Sequence, residues 1–181
     1  MKNLKTKTIV ILLSVFTMIS CGNDDDDTPN DGNESGLISI GDCGTFFVDV
    51  NLQSLCGVEA ANSQGLGTGA ACTYIIRQNV SASQELYGVT LWEAASINDA
   101  VDFYELLGDD FFPGEMLSPL NGLGDEAIYA EDQENQDFTV LFRLRNINVA
   151  VVTDELFFEL GCDDPQASLI ELANLIIEKA Q

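Results

Sequence analysis

Residues 138–151 read Phe-Thr-Val-Leu-Phe-Arg-Leu-Arg-Asn-Ile-Asn-Val-Ala-Val. Phe138, Val140, Phe142 and Leu144 alternate with Thr139, Leu141, Arg143 and Arg145, and after Asn146 the run Ile147, Val149, Val151 carries the alternation back. A period of two over β-branched and aromatic residues predicts an antiparallel hairpin with one core face, Arg143 and Arg145 standing on the other. In so acidic a chain these two arginines are expected to pair with neighbouring acids, an anion-binding role being the alternative.

Working outward, Glu126 to Ala130 predicts a strand, and the polar stretch Glu131 to Gln136 predicts the turn that joins it to the hairpin. Upstream, Cys72 to Gln78 and Leu86 to Ala94 predict two neighbouring antiparallel strands. Phe46 to Val50 predicts a short strand or extended segment leading into a helical turn around Leu52 to Ala61. Ser96 is placed to cap a helix with its stripe on Ile97, Ala100, Val101, Tyr104 and Leu107 and its stop at Gly108. Asp164 then caps a closing helix with Pro165 at its first position and Leu169, Leu172, Ala173, Ile176, Ile177 and Ala180 along one face. Between these helices, Asp109 to Gly124 is rich in proline and glycine and is expected to be irregular. It either lines a binding surface or lets Phe111 and Phe112 cap the core. Strands and helices in this order indicate an α+β fold, a central antiparallel sheet flanked by helices.

The N-terminus has a separate logic. Lys2, Lys5 and Lys7 precede an uncharged apolar run from Thr8 to Ile19 that ends at Ser20-Cys21, before four consecutive aspartates, Asp24 to Asp27. A spanning helix needs about 20 apolar residues, so this run is read as a secretion signal over residues 1–20. Met18-Ile19-Ser20-Cys21 resembles the bacterial lipobox, with Met18 in place of the usual leucine, which makes Cys21 the expected lipidation site and the membrane an expected partner. Residues 21–36 hold no aliphatic side chain and are expected to form an acidic flexible tether, leaving residues 37–181 as one domain. The N-terminus is similar to those of Bacteroidetes-type lipoproteins, in which such an acidic patch addresses the protein to the outer face of the outer membrane; a solvated spacer is the plainer reading.

Charge and composition exclude several classes. Without the signal the chain keeps four basic residues against 30 acidic ones, a balance that repels nucleic acid. No histidine is present, which removes the commonest general base near neutral pH and the usual triads. The carboxylate pairs Asp109-Asp110, Asp125-Glu126 and Asp163-Asp164 are the residues available for a glycoside-hydrolase type of chemistry, but each also falls at a helix end, a turn or a cap. No cofactor motif stands out: Gly65-Leu66-Gly67-Thr68-Gly69 lacks the Lys-Ser/Thr of a phosphate loop and is expected to be an ordinary loop. Asp27, Asp31 and Gly32 begin a calcium-loop pattern that fails at Pro29 and Ile38.

Cys43, Cys56, Cys72 and Cys162 are an even set in an exported chain, without histidine or a C-x-x-C knuckle, so two disulfides are expected rather than a metal site. Four cysteines allow three pairings.

Leu55-Cys56, Cys72-Thr73-Tyr74, Gly122 to Ala127, Val140 to Arg143, Asn146 to Val149 and Leu172-Ala173, taken in order, resemble small bacterial lipoproteins of unknown function with a PsbP-like domain. The resemblance spans residues 37–180. It implies a PsbP-like sandwich, a bond between Cys56 and Cys72 that leaves Cys43 for Cys162, and a role in binding or scaffolding. The expected function is therefore a lipid-anchored, non-catalytic envelope protein with a protein or small-molecule ligand. The alternatives are a divalent-cation-binding structural protein using Asp109, Asp110, Glu115 and Asp125, and a carboxylate-based hydrolase.

Overall fold

The alternation at 138–151 forms two strands of a seven-stranded antiparallel sheet, β6 (Asp137–Leu144) and β7 (Ile147–Thr153), paired from Phe138 with Thr153 to Leu144 with Ile147. This computed structural model describes residues 36–59, 63–68, 71–79, 81–112, 116–132 and 135–181. The expected signal, Cys21 and almost all of the expected tether lie outside those residues, as do Pro113, Gly114 and Glu115.

Two meanders make the sheet. One is β1 (Ser63–Thr68), β2 (Ala71–Ile76) and β3 (Tyr87–Glu93); the other is β4 (Met116–Pro119), β5 (Glu126–Asp132), β6 and β7. They join through the β3–β7 ladder, so the order is β1-β2-β3-β7-β6-β5-β4. The helix α1 (Ile97–Phe111) is the crossover between the meanders and packs on β6 and β7 from one side, while α3 (Pro165–Ala180) packs on the same strands from the other. The hairpin consequently has two core faces, not the one expected. Val140 and Phe142 meet the α3 side with Leu169, Leu172, Ala173 and Ile176, and Leu141 meets Tyr104, Leu107 and Phe112 on the α1 side. A strand covered on both faces retains little room for charge, and Arg143 is 9% exposed.

The helix termini follow their capping chemistry. The Ser96 hydroxyl accepts from the Asp99 amide at 3.1 Å, and Asp164 Oδ1 accepts from the Ala167 amide at 2.9 Å with Pro165 at the first helical position. Gly108 does not end α1. It keeps a helical backbone, Ile128 lies near it, and the helix runs on to Phe111. The segment expected to be irregular is therefore partly helix and partly strand, β4 pairing with β5 from Met116 with Glu131 to Pro119 with Ile128. Phe112 is buried against Tyr104, Leu107, Ala130 and Leu141, the core-capping alternative. Phe46 to Val50 forms turns, not a strand, with Phe47 edge-on to Tyr74 at 4.7 Å. The expected turn beyond Leu52 is a single 3-10 helix over Leu52–Ser54, and a short helix α2 (Leu156–Glu159) precedes α3 unannounced by any spacing.

Gly65 to Thr68, expected in a loop, belongs to the edge strand β1. The glycine answers to a neighbour: a Cβ at Gly65 would lie 2.3 Å from the Cys43 carbonyl oxygen and 2.8 Å from the Tyr74 ring. That close passage carries Cys43 over the sheet edge to Cys72, whose side chain shares the buried face with Tyr74. All four cysteines are bonded, but the pairs are Cys43–Cys72 and Cys56–Cys162, with Cα separations of 5.5 and 5.9 Å. This corrects the pairing implied by the resemblance. Cys56 turns away from β2 toward the α2–α3 connection, beside Gly57, whose nearest neighbours include Leu86, Leu160 and Cys162.

Candidate functional site

At one end of the molecule the β5–β6 hairpin meets the start of α3. Alternation along β5 puts Tyr129 and Glu131 on the α3 side, and the ladder sets Glu131 opposite Phe138. From α2, Phe158 stands edge-on to Phe138 with ring centroids 5.6 Å apart, itself held edge-on by the buried Phe157 at 5.7 Å. Asp163, Asp164, Pro165 and Gln166 close the opposite wall, and Gln136 reaches in from the hairpin turn. Together they line a cleft of about 380 Å³, within the range of small-ligand sites.

Aromatic rings and carboxylates line the cleft together, and among the described residues no lysine or arginine does. Asp164 already accepts from the first turn of α3, so the positive end of that helix is satisfied from within. Tyr129 is 7% exposed, and among the described residues its hydroxyl has no hydrogen-bond partner. Its pKa is pushed up to about 12, first by burial and then by the negative charges of Glu131 and Asp164, so it stays a neutral phenol across the physiological range.

The other sequence-derived candidates are placed elsewhere. The Asp125-Glu126 pair is taken up by Arg143: Nη1 donates to Asp125 Oδ2 at 3.0 Å and Nε donates to Glu126. Arg145, at φ +55, donates its amide to the same Asp125 carboxylate and its guanidinium to the Gly36 carbonyl at 2.8 Å. Arg143 thus pairs with acids as expected, whereas the guanidinium of the exposed Arg145, expected to do the same, donates to a main-chain carbonyl instead. Of the residues considered for a divalent cation, Asp125 is committed to this network, Glu115 and the side chains of Asp109 and Asp110 lie outside the description, and no group of three metal-donor side chains occurs among the described residues. Of the two carboxylate pairs whose side chains are described, Asp163-Asp164 lines the cleft and Asp125-Glu126 does not.

Sequence reasoning missed Tyr129, Glu131, Gln136, Phe138 and Phe158 as site residues. They come from three elements and a turn that no local spacing connects; the one signal available was Phe157-Phe158 followed closely by two aspartates. No family model, curated protein or solved structure matches the chain.

Proposed function

We propose that the chain is a lipid-anchored protein of the bacterial cell envelope, held in the outer membrane through acyl groups on Cys21, whose α+β domain binds a ligand without transforming it. The observation that carries the binding half is the cleft, where aromatic rings, carboxylates and a tyrosine hydroxyl with no partner among the described residues converge. The anchoring half rests on the charged, apolar and small-residue pattern ending at Cys21. The finer assignment of the domain as a PsbP-like sandwich belongs to the same reading, supported by the order of short motifs from 37 to 180. The absence of histidine and the commitment of Asp125 and Glu126 to Arg143 favour binding over catalysis.

Two measurements test this. Intact mass of the protein recovered from membranes should show a diacylglyceryl-modified N-terminus at Cys21, and Cys21→Ser should release the chain to the soluble fraction. A nuclear-magnetic-resonance screen of small cationic, neutral and anionic compounds should find one class that shifts Tyr129, Phe138 and Phe158 without turnover. Turnover of a compound, or silence from every class, overturns the binding reading.

A further inference from the structure

We propose that the cleft takes an organic cation, a primary ammonium group on a short aliphatic stem such as one end of a small diamine. The proposal rests on the cleft being the binding site and names the chemistry it recognises. Glu131 and Asp163 line the cleft, and neither carboxylate has a hydrogen bond or ion pair among the described residues. Asp164 adds a third carboxylate whose Oδ1 is used in capping. With no basic side chain in the lining among the described residues, this negative charge is uncompensated there, and an ammonium group supplies what is missing.

The rest of the lining selects the kind of cation. Phe158, 40% exposed, offers ring surface to a methylene stem and a cation, with the nearly buried Phe138 and Tyr129 completing the aromatic lining. The Tyr129 hydroxyl is a second, independent indication. It belongs to a side chain only 7% exposed, has no hydrogen-bond partner among the described residues, and can accept from an ammonium N–H. Its raised pKa keeps it protonated, so it acts as a neutral acceptor beside the carboxylates. A bare divalent cation fits less well, because it asks for about six oxygen ligands and no group of three metal-donor side chains is gathered among the described residues. An anion would be repelled by the same carboxylates.

A chain with 30 acidic residues attracts any cation diffusely, so the experiment must separate the cleft from the general field. The full chain in detergent is titrated with 1,5-diaminopentane at physiological ionic strength, by calorimetry and by resonance shifts. One saturable site is expected, with shifts at Tyr129, Phe138 and Phe158. Glu131→Gln and Asp163→Asn should each weaken binding about fivefold, and Phe158→Leu about threefold. Tyr129→Phe, which keeps the ring, should also weaken it. Asp102→Asn and Glu105→Gln remove the same charge from exposed positions of α1 and should leave the affinity within about twofold.

An equal loss from the α1 variants, or no saturable site, overturns the proposal. The neutral 1,5-pentanediol and the anion glutarate complete the test. If either shifts the cleft residues while the diamine does not, the cation assignment fails and the binding reading stands; if none of the three does, both fail.

Discussion

Tyr74 and Tyr87 stand on neighbouring strands, point to the same face, and are 1% and 0% exposed, yet their hydroxyls meet different fates. Tyr87 donates to the Cys56 carbonyl at 2.8 Å and lies 2.6 Å from Ser168 Oγ, so a single hydroxyl ties the Cys56 loop and α3 to the sheet. The Tyr74 hydroxyl has no partner among the described residues, having been carried into the core by a ring that Phe46 and Phe47 pack around. A hydrogen bond contributes little net, but a buried polar group left without one costs its desolvation. Tyr74→Phe should therefore leave stability unchanged or raise it by up to about 1 kcal/mol. Tyr87→Phe should lower it by about 1–2 kcal/mol, because Cys56 and Ser168 lose their partner. Urea denaturation with an unchanged m-value measures both, and a loss at Tyr74 as large as that at Tyr87 would contradict the assignment. Asn146 shows how much a residue's role depends on distant chain. In sequence it marks a turn; in the fold its side chain accepts from the Ile38 amide at 2.7 Å and donates to the Ile38 and Ala94 carbonyls, fastening the start of the domain to the sheet.

Among the elements, those whose pattern is periodic were legible and those set by a neighbour were not. β6, β7 and α3 follow from alternation, or from a helical stripe with its cap, because burial of a regular face imposes a regular sequence. β1 breaks that rule. Gly65 and Gly67 have poor strand propensity, and the edge position of β1 frees one of its sides from pairing. What requires glycine at 65 is the Cys43 backbone, which is 22 residues earlier and invisible to any local window. The same holds for β4, whose Pro119 suits an edge strand but reads locally as a break, and for the cleft, assembled from β5, β6, α2 and α3. Gly65→Ala consequently tests the fold better than a core truncation would. A methyl group there collides with backbone as well as with the Tyr74 ring, so a loss of about 1–3 kcal/mol is expected from overpacking. Were position 65 an ordinary loop glycine at negative φ, the same change would leave stability unchanged or improve it, and denaturation distinguishes the two signs.

For the whole molecule, cross-links and titration set the working limits. Cys43–Cys72 closes 29 residues, whereas Cys56–Cys162 closes 106 and joins the opening loop to the approach to α3. Chain-entropy arguments give about 3.5 kcal/mol for the first and about 5 kcal/mol for the second, so replacing Cys56 and Cys162 by alanine should destabilise more than replacing Cys43 and Cys72. Denaturation of the two double variants gives the order directly. The alkaline limit comes from four tyrosines. Tyr74, Tyr87, Tyr104 and Tyr129 are each raised from 10.0 to about 12, with burial the first cause in every case. Below pH 10 the folded and unfolded chains both hold these protons, and the stabilisation is fully present. Between 10 and about 12 the unfolded chain releases them while the folded chain keeps them, so unfolding becomes coupled to proton release and stability falls as pH rises. Thermal melting should accordingly show Tm dropping steeply above pH 10, with phenolate absorbance appearing together with unfolding rather than ahead of it. Brief exposure and return to neutral pH keeps disulfide chemistry out of the comparison. Phenolate absorbance that grows from pH 10 while the protein stays folded would show that the four rings reach solvent. Tyr129→Phe, by removing one of the four, should shallow the decline in Tm without abolishing it.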